Sequence, residues 1–230
     1  MHKVVAINGS PRMEKGNTAL LLDAFTRGLK EYECEVDIQY ASRLKIEPCA
    51  CGRMYCWNDK KGECCFQDDM QTLYTKLKNA AILILATPIY IPMPGAMQNF
   101  LNRLCPLLEP ELKTRDGRTR VRFRDDVNIH KIVLVATGGW WELANLDRLV
   151  LIVQEIAEDA GVEFAGALLR PHAHSMRSSG KVTLDGEAVL AAAKLAGYQL
   201  IVDGKMNPDT LTQISRPLVP QEQEPTQLNP

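Results

Sequence analysis

The sequence predicts an α/β fold, a doubly wound five-stranded parallel sheet with helices on both faces. Runs of apolar residues typical of buried parallel strands alternate with segments of helical periodicity. The length of 230 residues suits one α/β domain with insertions better than two small domains. A hydrophobic fraction of 46% is ample for one core without cysteine cross-links. Five strand–helix units in alternation therefore predict the doubly wound sheet.

The predicted strands and helices follow one another in order along the chain. The segment "AILILATP" is apolar throughout and so belongs at the centre of the sheet, whereas "EVDIQY" is amphipathic and lies nearer an edge. The predicted strands are 3–8, 35–40, 81–88, 131–139 and 162–171. The predicted helices are 17–32, 68–80, 95–108, 146–161 and 186–204, the second with a paired Asp at its N-terminus and the fourth with Gly161 as its stop.

Two insertions and a tail complete the predicted organisation. A domain over residues 1–204 contains a cysteine-rich insertion after the second strand, about 48–66, and a basic insertion before the fourth strand, about 109–130. From Lys205 the chain is rich in Pro and Gln, which predicts an extended or disordered tail over 205–230.

Charge and hydropathy exclude several classes of partner. With 27 basic against 28 acidic residues, we expect neither nucleic acid nor an anionic membrane as the main partner. No apolar run approaches the 18 residues or so of a membrane span, and the N-terminus reads directly as a strand. We therefore expect a cytoplasmic protein, in which thiols stay reduced and serve metal or redox chemistry rather than disulfides.

Ligands of doubly wound sheets lie beyond the carboxyl ends of the strands, so the loops there are informative. The loop after the first strand, "NGSPRMEKGNTALL" (8–21), lacks both G-x-G-x-x-G and G-K-[ST]. It offers hydrogen-bond donors and a positive charge before a helix, which suits a terminal phosphate. The alternative is an ordinary helix cap by Asn17 or Thr18. The phosphate-binding candidates are Ser10, Arg12, Asn17 and Thr18.

The loops after the third and fourth strands suit a flat ring. In "TPIYIPMPGAMQNFLNR" (87–103), three prolines in seven residues make a stiff wall with apolar side chains, among them Ile89 and Tyr90. In "TGGWW" (137–141), two glycines let the backbone approach a ligand closely. Together with the phosphate loop, they predict a site for a flat ring that carries a phosphate.

These segments, with "PC…C…CW…G…C…DDM", occur in the order found in the NADPH-dependent FMN reductase superfamily. Over residues 3–170 the chain resembles that superfamily, and within it the iron–sulfur flavoprotein branch. The resemblance implies a flavodoxin-like fold that binds FMN, with NAD(P)H as co-substrate, usually as a homodimer or homotetramer. It also implies that the four phosphate-binding candidates hold the FMN phosphate. The isoalloxazine would lie between Pro88, Ile89 and Tyr90 on one side and Thr137, Gly138 and Gly139 on the other.

Five of the seven cysteines lie between Pro48 and Cys65. The iron–sulfur branch carries C-x-x-C-x-x-C and a fourth Cys before an Asp-Asp-Met helix. Here the flanks match but the internal spacing is C-x-C-x4-C-x7-C-C. One interpretation is a 4Fe-4S cluster, and the alternatives are a Cys₄ zinc site and a metal-free loop. The predicted ligands are Cys49, Cys51, Cys56 and Cys64, with Cys65 as a substitute; Cys34 and Cys105 are interpreted as buried structural thiols.

Two further segments have both a functional and a structural interpretation. The segment "KTRDGRTRVRFR" (113–124) predicts a hairpin with its turn at Asp116–Gly117 and alternating arginines on one strand. In the functional interpretation the arginines clamp the NADPH 2′-phosphate or an acidic partner. In the structural interpretation the segment is a solvated hairpin or a subunit arm. His172 and His174 lie on one side of an extended segment without a third metal ligand, so we expect them at the surface or the rim of the site.

The predicted function is an FMN-dependent oxidoreductase, in which NAD(P)H reduces FMN and the flavin reduces a quinone, flavin or other small acceptor, with or without a cluster relay. No side chain is an obvious catalytic acid or base, since the flavin carries the chemistry. One alternative is an electron-transfer iron–sulfur flavoprotein that accepts electrons from a ferredoxin-like partner. The other is a non-catalytic flavin- or zinc-binding module.

Overall fold

The computed structural model describes residues 2–223. In chain order the described strands are β1 (His2–Asn8), β2 (Cys34–Tyr40), β3 (Ile82–Pro88), β4 (Leu108–Arg115), β5 (Arg118–Phe123), β6 (Lys131–Thr137), β7 (Glu163–Arg170), β8 (Arg177–Ser178) and β9 (Lys181–Val182). The described α-helices are α1 (Asn17–Lys30), α2 (Tyr55–Asn58), α3 (Met70–Asn79), α4 (Gly95–Asn102), α5 (Asp147–Ala160), α6 (Leu184–Val202) and α7 (Pro208–Ser215).

Five strands form a parallel sheet in the order β2-β1-β3-β6-β7. The apolar β3 lies at the centre and the amphipathic β2 at an edge, as the sequence predicts. The order reverses between β1 and β3, which creates the crevice where ligands of such sheets bind. The predicted doubly wound, flavodoxin-like fold is confirmed.

Alternate residues of each central strand belong to two hydrophobic cores, since successive side chains of a strand point to opposite faces of the sheet. On one face Val5, Leu83 and Leu134 pack with α3, α4 and α5. On the other face Ala6 and Ile84 pack with α1 and α6. Both faces of the sheet are therefore covered, which explains why its central strands are apolar throughout. No helix in the described residues is long and apolar enough to cross a membrane.

The predicted helix over 95–108 is too long. α4 ends at Asn102, and after a 3₁₀ turn at Cys105–Leu107 the chain enters β4 at Leu108. Pro106 has no N–H to bond the Asn102 carbonyl oxygen, and its ring would clash with that oxygen, so the α-helix cannot continue through it. The basic insertion forms the predicted hairpin, β4 and β5, with Asp116 and Gly117 both at positive φ.

The prediction of an extended or disordered tail is wrong for Pro208–Ser215, which form α7. α7 begins with Asn207, whose side chain accepts a hydrogen bond from the amide of Asp209, and Pro208 occupies the first helical position. Thr210 and Ile214 are buried against the rest of the domain. The folded unit therefore extends past residue 204; residues 224–230 of the predicted tail lie outside the described range.

Candidate functional site

The loop after β1 leaves the N-terminus of α1 open. Gly16 is the N-cap residue, and no side chain caps α1 among residues 2–223. Asn17 and Thr18 are instead the first two residues of the helix, so their interpretation as ordinary caps is wrong. The first-turn amides and the positive end of the helix dipole remain available to an anion. Ser10 lies beside them, buried, with its amide donating to Asn8 Oδ1 over 2.9 Å.

The three loops at the carboxyl edge are bonded to one another. Thr18 Oγ1 and Thr137 Oγ1 lie 2.7 Å apart in a buried hydrogen bond between α1 and the end of β6. The amide of Ile89 donates to the Thr137 carbonyl oxygen over 2.8 Å. Thr137 therefore joins the phosphate loop to the proline-rich loop, and the predicted residues of all three loops meet at one edge of the sheet.

Large apolar side chains are exposed to solvent at this edge of the sheet. Tyr90 is 56% exposed, Ile91 95% and Trp140 66%. A Cβ on Gly139 would meet no atom within 4 Å, whereas one on Gly138 would approach Leu146 and Ile89 at 3.4 and 3.7 Å. Clustered exposed apolar groups of this size usually mark a binding site.

These residues fit FMN. An uncapped helix N-terminus suits a phosphate, and the exposed apolar edge suits a flat ring. In addition, the buried Asn8 Nδ2, at the end of β1, has no hydrogen-bond partner among the described residues, which leaves a donor for a ligand. Which of the ten predicted residues contact the cofactor stays a prediction.

Sequence reasoning missed a buried polar group below the 137–141 loop. Arg170, at the end of β7, is fully buried and donates from Nη1 to the carbonyl oxygens of Ile214 and Arg216 over 2.8 and 2.9 Å. Its Nη2 lies 2.8 Å from His172 Nε2, which accepts the bond. The His172 amide donates to the Trp140 carbonyl oxygen over 2.6 Å. Arg170 and His172 thus tie the site loop to the C-terminal segment.

Of the two places expected for His172, the surface is wrong, because the residue is fully buried, and its position is below the loop of the candidate site rather than on an exposed rim. It lies beneath the loop that bears Trp140, with its ring 6.3 Å from that of Trp141. Burial, then the charge of Arg170 and the neighbouring His174, lower the pKa of His172 to about 4. The ring is therefore neutral in the folded protein near neutral pH.

Acidification should weaken the fold through His172. Because the pKa falls from 6.5 to about 4 on folding, the unfolded chain binds the proton first, and stability is lost as the pH falls from about 6.5 through 4. We expect His172→Gln to reduce the loss of unfolding free energy between about pH 7 and pH 4.5 by roughly 2–3 kcal/mol, measured by urea denaturation. His130→Gln, at an exposed ring, should keep the wild-type loss; equal losses in both variants would contradict the assignment.

The five cysteines of the cysteine-rich insertion lie close to a sixth, Cys105, in the 3₁₀ turn after α4. Six cysteines line one small cavity: Cys49, Cys51, Cys56, Cys64, Cys65 and Cys105. Trp57 holds the insertion there, because its indole N–H donates to the Cys105 carbonyl oxygen over 3.1 Å. Cys105 is half-buried, and its place in the sequence predicts a separate structural thiol rather than a member of this group.

The thiols act on one another across the group, because burial, then Cys51 and Cys105, raise the pKa of Cys49, and Cys105, then burial and Cys51, raise the pKa of Cys56. The strongest of these interactions between thiols is that of Cys56 with Cys105. This interaction lowers the pKa of Cys105 to about 7. Cys64 lines the same cavity and lies near the Tyr74 hydroxyl, which donates to the Arg103 carbonyl oxygen over 2.8 Å.

The predicted four-cysteine ligand set is therefore not assembled. Within residues 2–223, no three or more His, Cys, Asp or Glu side chains converge so as to hold a metal ion. A 4Fe-4S cluster or a Cys₄ zinc site needs four thiolates directed at one centre. The described residues therefore do not support a metal centre at Cys49, Cys51, Cys56 and Cys64, and these ligands stay a prediction.

A buried ion pair fixes the end of the cysteine insertion. Arg103 donates from Nη1 and Nη2 to the two carboxylate oxygens of Asp68 over 2.7 and 3.0 Å, with both side chains 2% exposed or less. The same guanidinium donates to the Glu47 carbonyl oxygen over 2.8 Å and lies over the ring of Phe66. Arg103 therefore holds both flanks of the insertion against the end of α4.

The arginines of the hairpin are paired within the chain. Arg118 and Arg120 donate to Glu155 on α5, over 2.6 and 3.0 Å. Arg122 pairs with Asp125 and Arg124 with Glu109. This pairing favours a structural hairpin over a clamp for the NADPH 2′-phosphate, since the guanidinium groups already have carboxylate partners.

Comparison with known proteins agrees with this architecture. The family model described as NADPH-dependent FMN reductase matches residues 2–146, more than half of the chain. An iron–sulfur flavoprotein from Archaeoglobus fulgidus is 36% identical over 118 residues, which cover 50% of this chain and 51% of that protein. The match thus spans about half the length of this curated relative. A putative NAD(P)H-dependent FMN-containing oxidoreductase, YwqN from Bacillus subtilis, is 28% identical over 84% of this chain and 96% of its own.

Solved structures share the fold at low identity. An NAD(P)H:quinone oxidoreductase from Methanothermobacter marburgensis superposes with a TM-score of 0.60 at 17% identity, covering 87% of this chain and 97% of that one. An FMN-dependent NADH-azoreductase from Bacillus anthracis gives 0.57 at 11% identity, covering 87% and 99%. At these identities the likeness establishes the fold.

Proposed function

The chain belongs to the NADPH-dependent FMN reductase family, and we propose that it is an oxidoreductase that binds FMN and uses NAD(P)H to reduce a small acceptor such as a quinone or a flavin. The observation that carries the proposal is the uncapped N-terminus of α1 beside an exposed apolar edge. Bound FMN would supply the hydride and electron chemistry, so the side chains need only bind, orient and shield it.

The phosphate end of the proposed site rests on backbone and side-chain donors. Ser10, Asn17 and Thr18 offer hydrogen bonds at the start of α1, and Arg12 on the exposed loop adds a fixed charge. A phosphate accepts strong charge-assisted bonds from such a set. The Thr18–Thr137 hydrogen bond would then couple phosphate binding to the position of the glycine loop.

The part of the proposed site that would hold the isoalloxazine ring is rigid. Pro88 and Ile89 lie where β3 ends, with the Ile89 amide fixed on Thr137, so the apolar edge cannot easily collapse into an empty site. Gly138 and Gly139 would approach the other side of the ring. Arg170 and His172 support this glycine loop from below, through the amides of His172 and Ala173.

The test is reduction of bound FMN without oxygen. We expect the full chain to bind added FMN, and NADPH or NADH to bleach the flavin absorption rapidly, with colour restored by a quinone. Failure to bind FMN would overturn the proposal, and so would a bound flavin that neither nucleotide reduces.

Removal of the loop charge should weaken binding of the phosphate selectively. We expect Arg12→Ala to weaken FMN binding about 10- to 100-fold, the equivalent of one charge-assisted contact, as measured by fluorescence quenching of the flavin. Riboflavin lacks the phosphate and should bind both proteins alike. Arg27→Ala removes the same charge from the opposite end of α1 and should leave FMN affinity unchanged. A similar loss for riboflavin would contradict the phosphate role of Arg12.

The alternative of an electron carrier with an iron–sulfur cluster is less favoured. It is suggested by the names of the relatives, but within residues 2–223 no group of three or more side chains is arranged to hold a metal ion. Reduction by a ferredoxin-like protein, faster than by NAD(P)H, would favour it. The homodimer or homotetramer expected from the sequence stays a prediction that light scattering can test.

A further inference from the structure

The helix α6 presents an apolar stripe to solvent. The spacing between its successive members alternates between four and three residues, so all of them lie along one side of the helix. All are exposed, and the exposed fraction of the four large ones ranges from 39% for Tyr198 to 85% for Leu184. The residues of this α6 stripe are Leu184, Ala188, Ala191, Leu195, Tyr198 and Val202.

The opposite side of α6 already belongs to the hydrophobic core. Val189 and Leu200 are buried there and pack in the same core as α1. Only three of the 19 residues of α6 are charged, namely Asp185, Glu187 and Lys194. A helix that is apolar on all sides is normally buried on all sides. The α6 stripe is therefore a helix face that residues 2–223 leave uncovered.

We propose that the α6 stripe is the interface of a homodimer, in which α6 of one copy packs antiparallel against α6 of a second copy of this chain. Around a two-fold axis midway between Ala191 and Leu195, Leu195 of one copy faces Ala191 of the other. In the same register Tyr198 faces Ala188, and the two ends of the stripe meet each other. A large side chain thus meets a small one in each inner layer, which lets the helices approach closely with interlocking side chains. The interface does not depend on the flavin binding proposed above.

The charges beside the α6 stripe are self-complementary in the antiparallel orientation. Asp185 and Glu187 lie in the first turn of α6, so antiparallel packing places the acidic groups of the two copies at opposite ends of the interface. Parallel packing would bring these like charges together. Lys194 lies close to the axis and forms an ion pair with Glu31 at the end of α1. Each copy therefore brings both signs of charge to the centre of the interface.

The length of the stripe suits a second copy better than a short segment of the same chain. The 19 residues of α6 span about 28 Å, and two such faces bury on the order of 1,000 Å² in total, the lower limit for a specific interface. Residues 224–230 contain one large apolar side chain, Leu228, against the six positions of the stripe. A second copy brings a complete and complementary stripe.

The test is the mass of the full chain in solution by light scattering. We expect the wild type to have at least twice the chain mass of 25.7 kDa. Leu195→Glu should halve the measured mass and raise the dissociation constant at least 100-fold, because it buries an unpaired charge next to the axis. Leu151→Glu places the same charge on α5, at a leucine that is 61% exposed, and should keep the wild-type mass. Both leucines are exposed in the single chain, so both variants should keep the wild-type circular dichroism spectrum.

A charge exchange tests the antiparallel register. Tyr198→Glu and Ala188→Lys should each weaken the dimer, whereas the double variant should recover a dissociation constant within about tenfold of the wild type, because the new carboxylate of one copy faces the new amine of the other. Within one helix the two positions lie about 15 Å apart, so the recovery must come from the second copy. The proposal fails if the wild type is a monomer, if Leu195→Glu keeps the wild-type mass, or if the double variant associates no better than the single ones.

Discussion

Asp68→Asn should lower the free energy of unfolding by about 3–5 kcal/mol, because it leaves the buried guanidinium of Arg103 without its counter-charge. The carboxylate accepts two bonds from Arg103 and also the amides of Glu47 and Met70. Asn keeps the shape of Asp68 but has one oxygen instead of two and no charge. Urea denaturation measures the loss as a lower midpoint at an unchanged slope.

A matched variant at the surface is the control. Asp126 pairs with Lys78 over 2.7 Å, but its side chain is 54% exposed. Exposed ion pairs contribute about 1 kcal/mol or less, so Asp126→Asn should have a small effect. Equal losses in the two variants would show that Arg103 finds another partner or water when Asp68 is neutral.

The same pair makes the fold sensitive to acid. Burial alone favours the neutral carboxyl, but the bonds from Arg103 and from the amides of Glu47 and Met70 outweigh it and hold the pKa of Asp68 below its ordinary value. A carboxyl with a lowered folded-state pKa stabilises the protein above the unfolded pKa, and the stabilisation is lost as the pH falls through the folded pKa. This loss begins near pH 4, below the range in which His172 acts.

The strands were predictable because burial on both faces of a parallel sheet demands apolar runs, and the sequence shows those runs directly. β3 is an example, since all but one of its residues are buried. The open helix start at Asn17 was predictable for a similar reason, because small and hydroxyl residues after a buried strand are a local pattern.

Contacts between distant segments were not predictable. Asp68 next to a helix start indicates a cap, and nothing near it indicates that its carboxylate pairs with Arg103, 35 residues away. The same holds for Cys105, which meets Cys56 only because the cysteine insertion folds back over the end of α4. α7 was missed because the Pro- and Gln-rich composition around it resembles a disordered tail, although an Asn-Pro start indicates a helix.

Gly197→Val should lower the free energy of unfolding by about 3 kcal/mol or more and the melting temperature by about 10 °C. Gly197 lies where α6 crosses α1, and a Cβ there would come within 2.1 Å of the Phe25 carbonyl oxygen. The reciprocal contact is at Gly28 on α1, where a Cβ would lie 1.8 Å from the Lys194 carbonyl oxygen. A backbone carbonyl group cannot move aside as the end of a flexible side chain can, so α1 and α6 must separate. Calorimetry measures the shift.

Separation of α1 from α6 should also displace residues of the candidate site, because α1 carries Thr18 at its N-terminus and Gly28 near its C-terminus. We therefore expect Gly197→Val to weaken FMN binding as well as the fold. Gly95→Val is the control: Gly95 begins α4, and a Cβ there would meet no atom within 4 Å. A wild-type melting temperature for Gly197→Val would mean that α1 and α6 do not pack backbone to backbone. A stability loss without loss of FMN affinity would mean that the open end of α1 holds its position independently of this crossing.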